Sequence, residues 1–98
     1  MRKYELMMIV SPDLTEEARN TLVASVEEEL TEGGTKILSA EHWGVRDLAY
    51  RIRSSSTGYY ILWTLESDGK NIIPVTKSFN IKKDIWRFMF VKLDEENE

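Results

Sequence analysis

The feature that most constrains this chain is a hydrophobic period that switches along its length between that of a strand and that of a helix. In residues 3–10, Lys3 and Glu5 share one face while Tyr4, Leu6, Met8 and Val10 share the other, as in a strand buried on at least one side. Ser11, Pro12 and Asp13 break the run. Thr15 then stands as a helix N-cap before Glu16 and Glu17, whose charges suit the positive end of a helix dipole. Ala18, Leu22, Val26 and Leu30 recur every four residues until Gly33 and Gly34 end the helix.

Residues 36–52 regain strand character at both ends, with Gly44 marking a bulge or bend between them. The polar run 54–58 predicts a flexible turn, and the β-prone run 59–66 after it completes a hairpin. A shorter helix is expected over 72–80. Ile72, Val75 and Phe79 give it an apolar stripe, and Pro74 falls in the first turn, where its missing N–H costs nothing. Lys82, Lys83 and Asp84 form a turn before a last strand in which Trp86, Phe88 and Phe90 alternate with Arg87 and Met89. The order β, α, β, β, α, β predicts an α+β ferredoxin-like sandwich, two helices covering one face of a four-stranded antiparallel sheet. A chain of 98 residues supplies one modest core, so 1–93 is expected as a single domain. The acidic tail 94–98 is too poor in apolar residues to fold and is expected to be disordered.

Composition narrows the function classes. No apolar run approaches the roughly 20 residues of a membrane-spanning helix, and no leader-like segment follows Met1, so a soluble cytoplasmic protein is expected. Without cysteine, and with His42 as the one histidine, neither a disulfide framework nor a thiolate or histidine-rich metal site is available. No metal or cofactor is expected. The net charge of -4 argues against nucleic acid until its distribution is examined. The tail holds -4 and residues 15–32 hold -5, leaving +5 on the remainder. An acidic helix side and a basic side follow.

Catalytic chemistry finds little support. No nucleophile with a base, paired carboxylates or glycine-rich phosphate cradle is recognisably spaced, and Asp13 stands where a phosphate would approach the first helix. An acylphosphatase-like site would resemble this topology with an arginine near that turn, and none is present. The RNA-recognition module shares the topology, but in its basic-Gly-aromatic-small-aromatic motif only Gly58 and Tyr59 match, with Thr57, Tyr60 and Ile61 at the other positions. A non-enzymatic protein is expected. If the charged strand residues point away from the helices, Met7, Ile9, Tyr60, Leu62, Met89 and Val91 share their face. An apolar cluster on an uncovered sheet face marks a partner surface, or shallow core covered by the tail.

Particular residues carry a family resemblance. Met1-Arg2-Lys3-Tyr4-Glu5, Trp43-Gly44-Val45-Arg46-Asp47-Leu48-Ala49-Tyr50-Arg51-Ile52, Gly58-Tyr59-Tyr60 and Arg87-Phe88-Met89-Phe90-Val91-Lys92 resemble the ribosomal protein six family of the bacterial small subunit across nearly the whole chain. Gly-x-Arg-x-Leu-Ala-Tyr is the most specific element, and the acidic tail is similar to the family's variable C-terminus. The resemblance implies a non-catalytic protein of translation, cytoplasmic and ribosome-bound. It would bind the central domain (platform) of 16S ribosomal RNA as a heterodimer with ribosomal protein eighteen and be a monomer when isolated. Carried over by position, Arg2, Lys3 and Arg87 are expected at RNA phosphates, and Glu41, Trp43 and Arg46 at the protein partner, joined there by Tyr60, Leu62 and Met89 of the open face. Edge-strand charges suppress self-pairing in the free protein and can pair with a partner. Asp47, Arg51 and Trp86 depart from the family pattern, and Trp86 is expected in the core under the second helix. The alternative is a free-standing ferredoxin-like domain that self-associates through its sheet face.

Overall fold

Strand alternation sets the architecture. A computed structural model describes residues 2–93, so the tail expected to be disordered lies outside the described residues. The elements are β1 (Arg2–Val10), α1 (Glu16–Glu32), β2 (Lys36–Ile52), β3 (Ser55–Ser67), α2 (Ile72–Asn80) and β4 (Ile85–Lys92), with a short 3-10 turn, Gly69–Asn71, leading into α2. They form the expected ferredoxin-like sandwich, with an antiparallel sheet in the order β2-β3-β1-β4. Leu6, Met8 and Val10 of β1 and Ile61, Trp63 and Leu65 of β3 point inward against Val26, Leu30, Val75 and Phe79 of the helices. Polar groups buried at the layer boundary are paired. The Trp63 indole N–H donates to Glu27 Oε2 at 2.8 Å, and the Thr35 and Ser67 hydroxyls bond at 2.8 Å.

Helix α1 begins as its sequence predicts, with Thr15 Oγ1 accepting from the Ala18 N–H at 3.1 Å. It ends in a Schellman motif. Gly34, at φ 94°, donates to the Thr31 carbonyl, and Thr35 donates to that of Leu30. The buried stripe differs from the expected one. A four-residue step overshoots a helical turn by about 40°, so Ala18, two steps before Val26, swings out to solvent. Arg19 takes the inward line instead and lies over the Tyr59 ring at 4.2 Å.

Three strand irregularities reshape the sequence-based picture. The hairpin turn is Arg53 and Ser54, earlier and tighter than the expected 54–58, because Ile52 already pairs with Ser55. Both turn residues have positive φ, 52° and 66°, as a two-residue type I′ turn requires. Before that turn the register leaves residues 48–51 opposite Ser56 alone, so this part of β2 bows out. In β4, Val10 pairs with Ile85 and Ile9 with Arg87, making Trp86 the extra residue of a bulge. The expectation that Trp86 fills the core is therefore corrected. Ile85 occupies the core, and Trp86 is half-buried at the rim.

Candidate functional site

The sheet face opposite the helices is built from rows of directly opposed residues. One row runs Glu41, Leu62, Met7, Met89 across all four strands, and the next runs Gly44, Tyr60, Ile9, Arg87. Toward the other end, Ser39, Thr64, Glu5 and Val91 form a mixed row, then Lys36, Glu66 and Lys3 a charged one. One end of the face is thus apolar and the other charged. Met89 is 58% exposed, while Met7, Ile9, Tyr60 and Leu62 are half-buried. The cover comes in part from the bowed segment of β2, with Leu48, Ala49, Tyr50 and Ile52 surrounding a shallow concavity beside Ile9, Tyr60 and Arg87.

At the β2 edge the fold brings together the three residues chosen from the sequence. A bulge between His42 and Gly44 turns Trp43 out of the ladder, and Gly44 takes the φ of 84° that this needs. The Trp43 indole N–H donates to Glu41 Oε1 at 3.2 Å. Arg46 Nε donates to the Trp43 carbonyl at 3.2 Å, and its guanidinium lies 5.6 Å from the Trp43 ring centre. Glu41, Trp43 and Arg46 form a pre-organised acid-aromatic-base group. Glu41 continues directly into the row of Leu62 and Met89, with Tyr60 in the adjoining row.

The three expected phosphate contacts are not together. Lys3 lies six β1 positions from Ile9, the residue opposite Arg87, a separation of about 20 Å. Arg2 and Lys3 are exposed at one end of the sheet and Arg87 at the other. Glu66, directly opposite both Lys3 and Lys36, offsets part of the charge at the Lys3 end.

Sequence reading missed two features here. His42 Nδ1 lies 3.1 Å from the Tyr59 hydroxyl, beneath the Arg19 guanidinium, tying the β2 edge to α1. Arg53, carried round by the tight turn, lines a shallow depression at the rim of the sheet together with Trp86 and Arg87. The turn is legible only once Ile52 is known to pair with Ser55. No set of three or more His, Cys, Asp or Glu side chains able to hold a metal occurs among the described residues.

What such a surface can do is bind. An apolar row ending in an ordered charged cluster, on the open side of a two-layer sandwich, defines a small α+β binding protein of the ferredoxin-like class. Residues 3–92 match the family model for ribosomal protein S6. The small ribosomal subunit protein bS6 of Fusobacterium nucleatum is 43% identical over 96% of this chain and all of its own length. That of Acidobacterium capsulatum is 40% identical over 99% of this chain and 69% of its own. The crystal structure of 30S ribosomal protein S6 from Thermotoga maritima superposes with a TM-score of 0.89 at 30% identity, covering 94% of this chain and 87% of that one. The chain belongs to the ribosomal protein S6 family. It is a non-enzymatic, structural component of the bacterial small ribosomal subunit, and so is cytoplasmic with the ribosome.

Proposed function

We propose that this protein binds the central domain (platform) of 16S ribosomal RNA jointly with ribosomal protein eighteen, as one half of a heterodimer, and is a monomer until that partner arrives. The observation that carries this reading is the continuity of the β2-edge group with the apolar row. Glu41, Trp43 and Arg46 supply oriented polar contacts, and Tyr60, Leu62 and Met89 the adjoining apolar surface. A surface with an apolar centre and a polar rim has the composition of a protein interface. Arg2, Lys3 and Arg87 contact phosphate at the two ends of the sheet, so the RNA spans the protein rather than docking at one point. Their charges survive the net -4 because the acids are concentrated elsewhere.

A gel shift with a 16S central-domain fragment, with and without ribosomal protein eighteen and at two salt concentrations, tests the proposal. Tight binding that needs the partner and weakens with salt is expected. Absence of binding in the presence of a functional partner would remove it. Sedimentation of the isolated protein should show a monomer at every concentration. A concentration-dependent dimer would instead favour the self-associating domain.

A further inference from the structure

We propose that Arg53, Trp86 and Arg87 form an RNA subsite that holds one unpaired nucleotide, its base against the Trp86 ring and its phosphate on the two guanidinium groups. This rests on the RNA-binding reading above and adds to it a site built largely from residues that the family resemblance does not supply.

Three observations converge. The tight turn between β2 and β3 brings Arg53 to the start of β4, where Arg53, Asn80, Trp86 and Arg87 line a depression of about 300 Å³. Its lining holds two cations and no acid, and the one ion pair among the described residues, Lys82 with Glu29, involves neither arginine. Among the described residues neither guanidinium has a carboxylate partner, and each presents forked donors whose geometry matches phosphate.

Second, the β4 bulge takes Trp86 out of the inward-facing series without placing it in solvent. Trp86 is half-buried at the rim and lines the depression together with Ile85 and Phe88. A partly exposed indole offers surface on which a base can stack, and unpaired bases are recognised on such aromatic surfaces with arginine beside them. Third, Arg53 holds a left-handed backbone at φ 52°, a position that asparagine or glycine occupies at less cost. The turn itself gives no reason for an arginine at this position. An acidic peptide would satisfy the guanidinium groups but leave the indole face without a stacking partner, so RNA is the better fit.

The test uses the full chain with ribosomal protein eighteen and the 16S central-domain fragment, comparing the parent with Arg53→Asn, Trp86→Ala and Trp86→Phe. Asparagine tolerates the left-handed backbone, so Arg53→Asn removes charge without disturbing the hairpin. Arg53→Asn is expected to weaken RNA binding about fivefold and to reduce the salt slope by about one. Trp86→Ala is expected to weaken it about tenfold, and Trp86→Phe to stay within about twofold of the parent. If Arg53→Asn and Trp86→Ala bind RNA like the parent, the subsite is wrong and the wider reading stands. If Trp86→Ala has already lost affinity for ribosomal protein eighteen without RNA, the depression is a protein contact and the subsite is overturned. Failure of the parent itself to bind RNA would remove both.

Discussion

Gly58 shows how narrowly one residue can be specified. It lies in β3 beneath the bowed part of β2, and a Cβ placed there would stand 2.5 Å from Ile9 Cγ2 and 3.3 Å from Leu48 Cδ2. Ile9 is β-branched and stiff about its first side-chain bond, so its methyl group cannot simply turn away. Gly58→Ala should therefore destabilise the protein by about 1–3 kcal/mol in urea titrations, as overpacking does. Combining it with Ile9→Ala removes the obstructing methyl, and the double variant should be more stable than the two separate losses sum to. Strict additivity would show that Gly58 is required for another reason. The sequence marks Gly58 as part of a polar turn and of a family motif, and neither reveals a packing constraint. Its packing role depends on Ile9, 49 positions away and brought near by the β1–β3 register.

At the scale of elements, the β2–β3 hairpin and the contact of α1 with the α2–β4 turn make separate predictions. Ser54 holds φ 66° at the second position of the type I′ turn, where glycine is favoured. Ser54→Gly should stabilise the protein by about 0.5–1 kcal/mol, the left-handed strain relieved less the chain entropy lost, and a lower melting temperature would contradict this turn. Lys82 Nζ meets Glu29 Oε2 at 3.0 Å. Burial pushes the Glu29 carboxyl up, but hydrogen bonds from Ser78 and Lys82 and the Lys82 charge outweigh it, holding it below its ordinary 4.5. A carboxyl lowered by folding stabilises the native state above its unfolded pKa and loses that contribution as pH falls through the folded value. Lys82→Met should thus cost about 0.5 kcal/mol near neutral pH and almost nothing once acid has protonated Glu29. An equal cost at both pH values would mean that Lys82 acts through packing. Elements of this kind are largely legible in the sequence, because period and caps are local. Thr15, Gly33 and Gly34 bound α1, and Ile72, Val75 and Phe79 face inward from α2, as read from the chain. What is not legible is the bulges. Trp86 fits the alternation with Phe88 and Phe90, and only the pairing of Val10 with Ile85 shows that it is the inserted residue. The Glu41, Trp43 and Arg46 group was suggested by family resemblance, whereas its internal bonds depend on a bulge that Gly44 alone hints at.

The whole molecule separates its charges and its apolar surface by layer and by end, which lets the two proposed kinds of binding be measured apart. The -5 of residues 15–32 sits wholly on α1, on the far side of the sheet from the open face. A cationic contact on the open face attracts phosphate and releases counterions, whereas an apolar contact contributes through area removed from water, with little dependence on salt. Arg87 and Met89 are two residues apart on β4 and both are exposed, so substitutions at either leave the fold intact. Arg87→Ala should weaken binding of the heterodimer to RNA and reduce the slope of log affinity against log salt by about one, with pairing to ribosomal protein eighteen unchanged. Met89→Asp should do the reverse. It places a charge at the exposed β4 end of the apolar row, so pairing should weaken by about 1–3 kcal/mol while RNA binding at saturating partner keeps the parental salt slope. Binding assays of the four combinations, two substitutions against two ligands, decide the matter. If Met89→Asp changes the salt slope and leaves pairing intact, the open face meets RNA, and the protein partner must be held by the β2 edge alone.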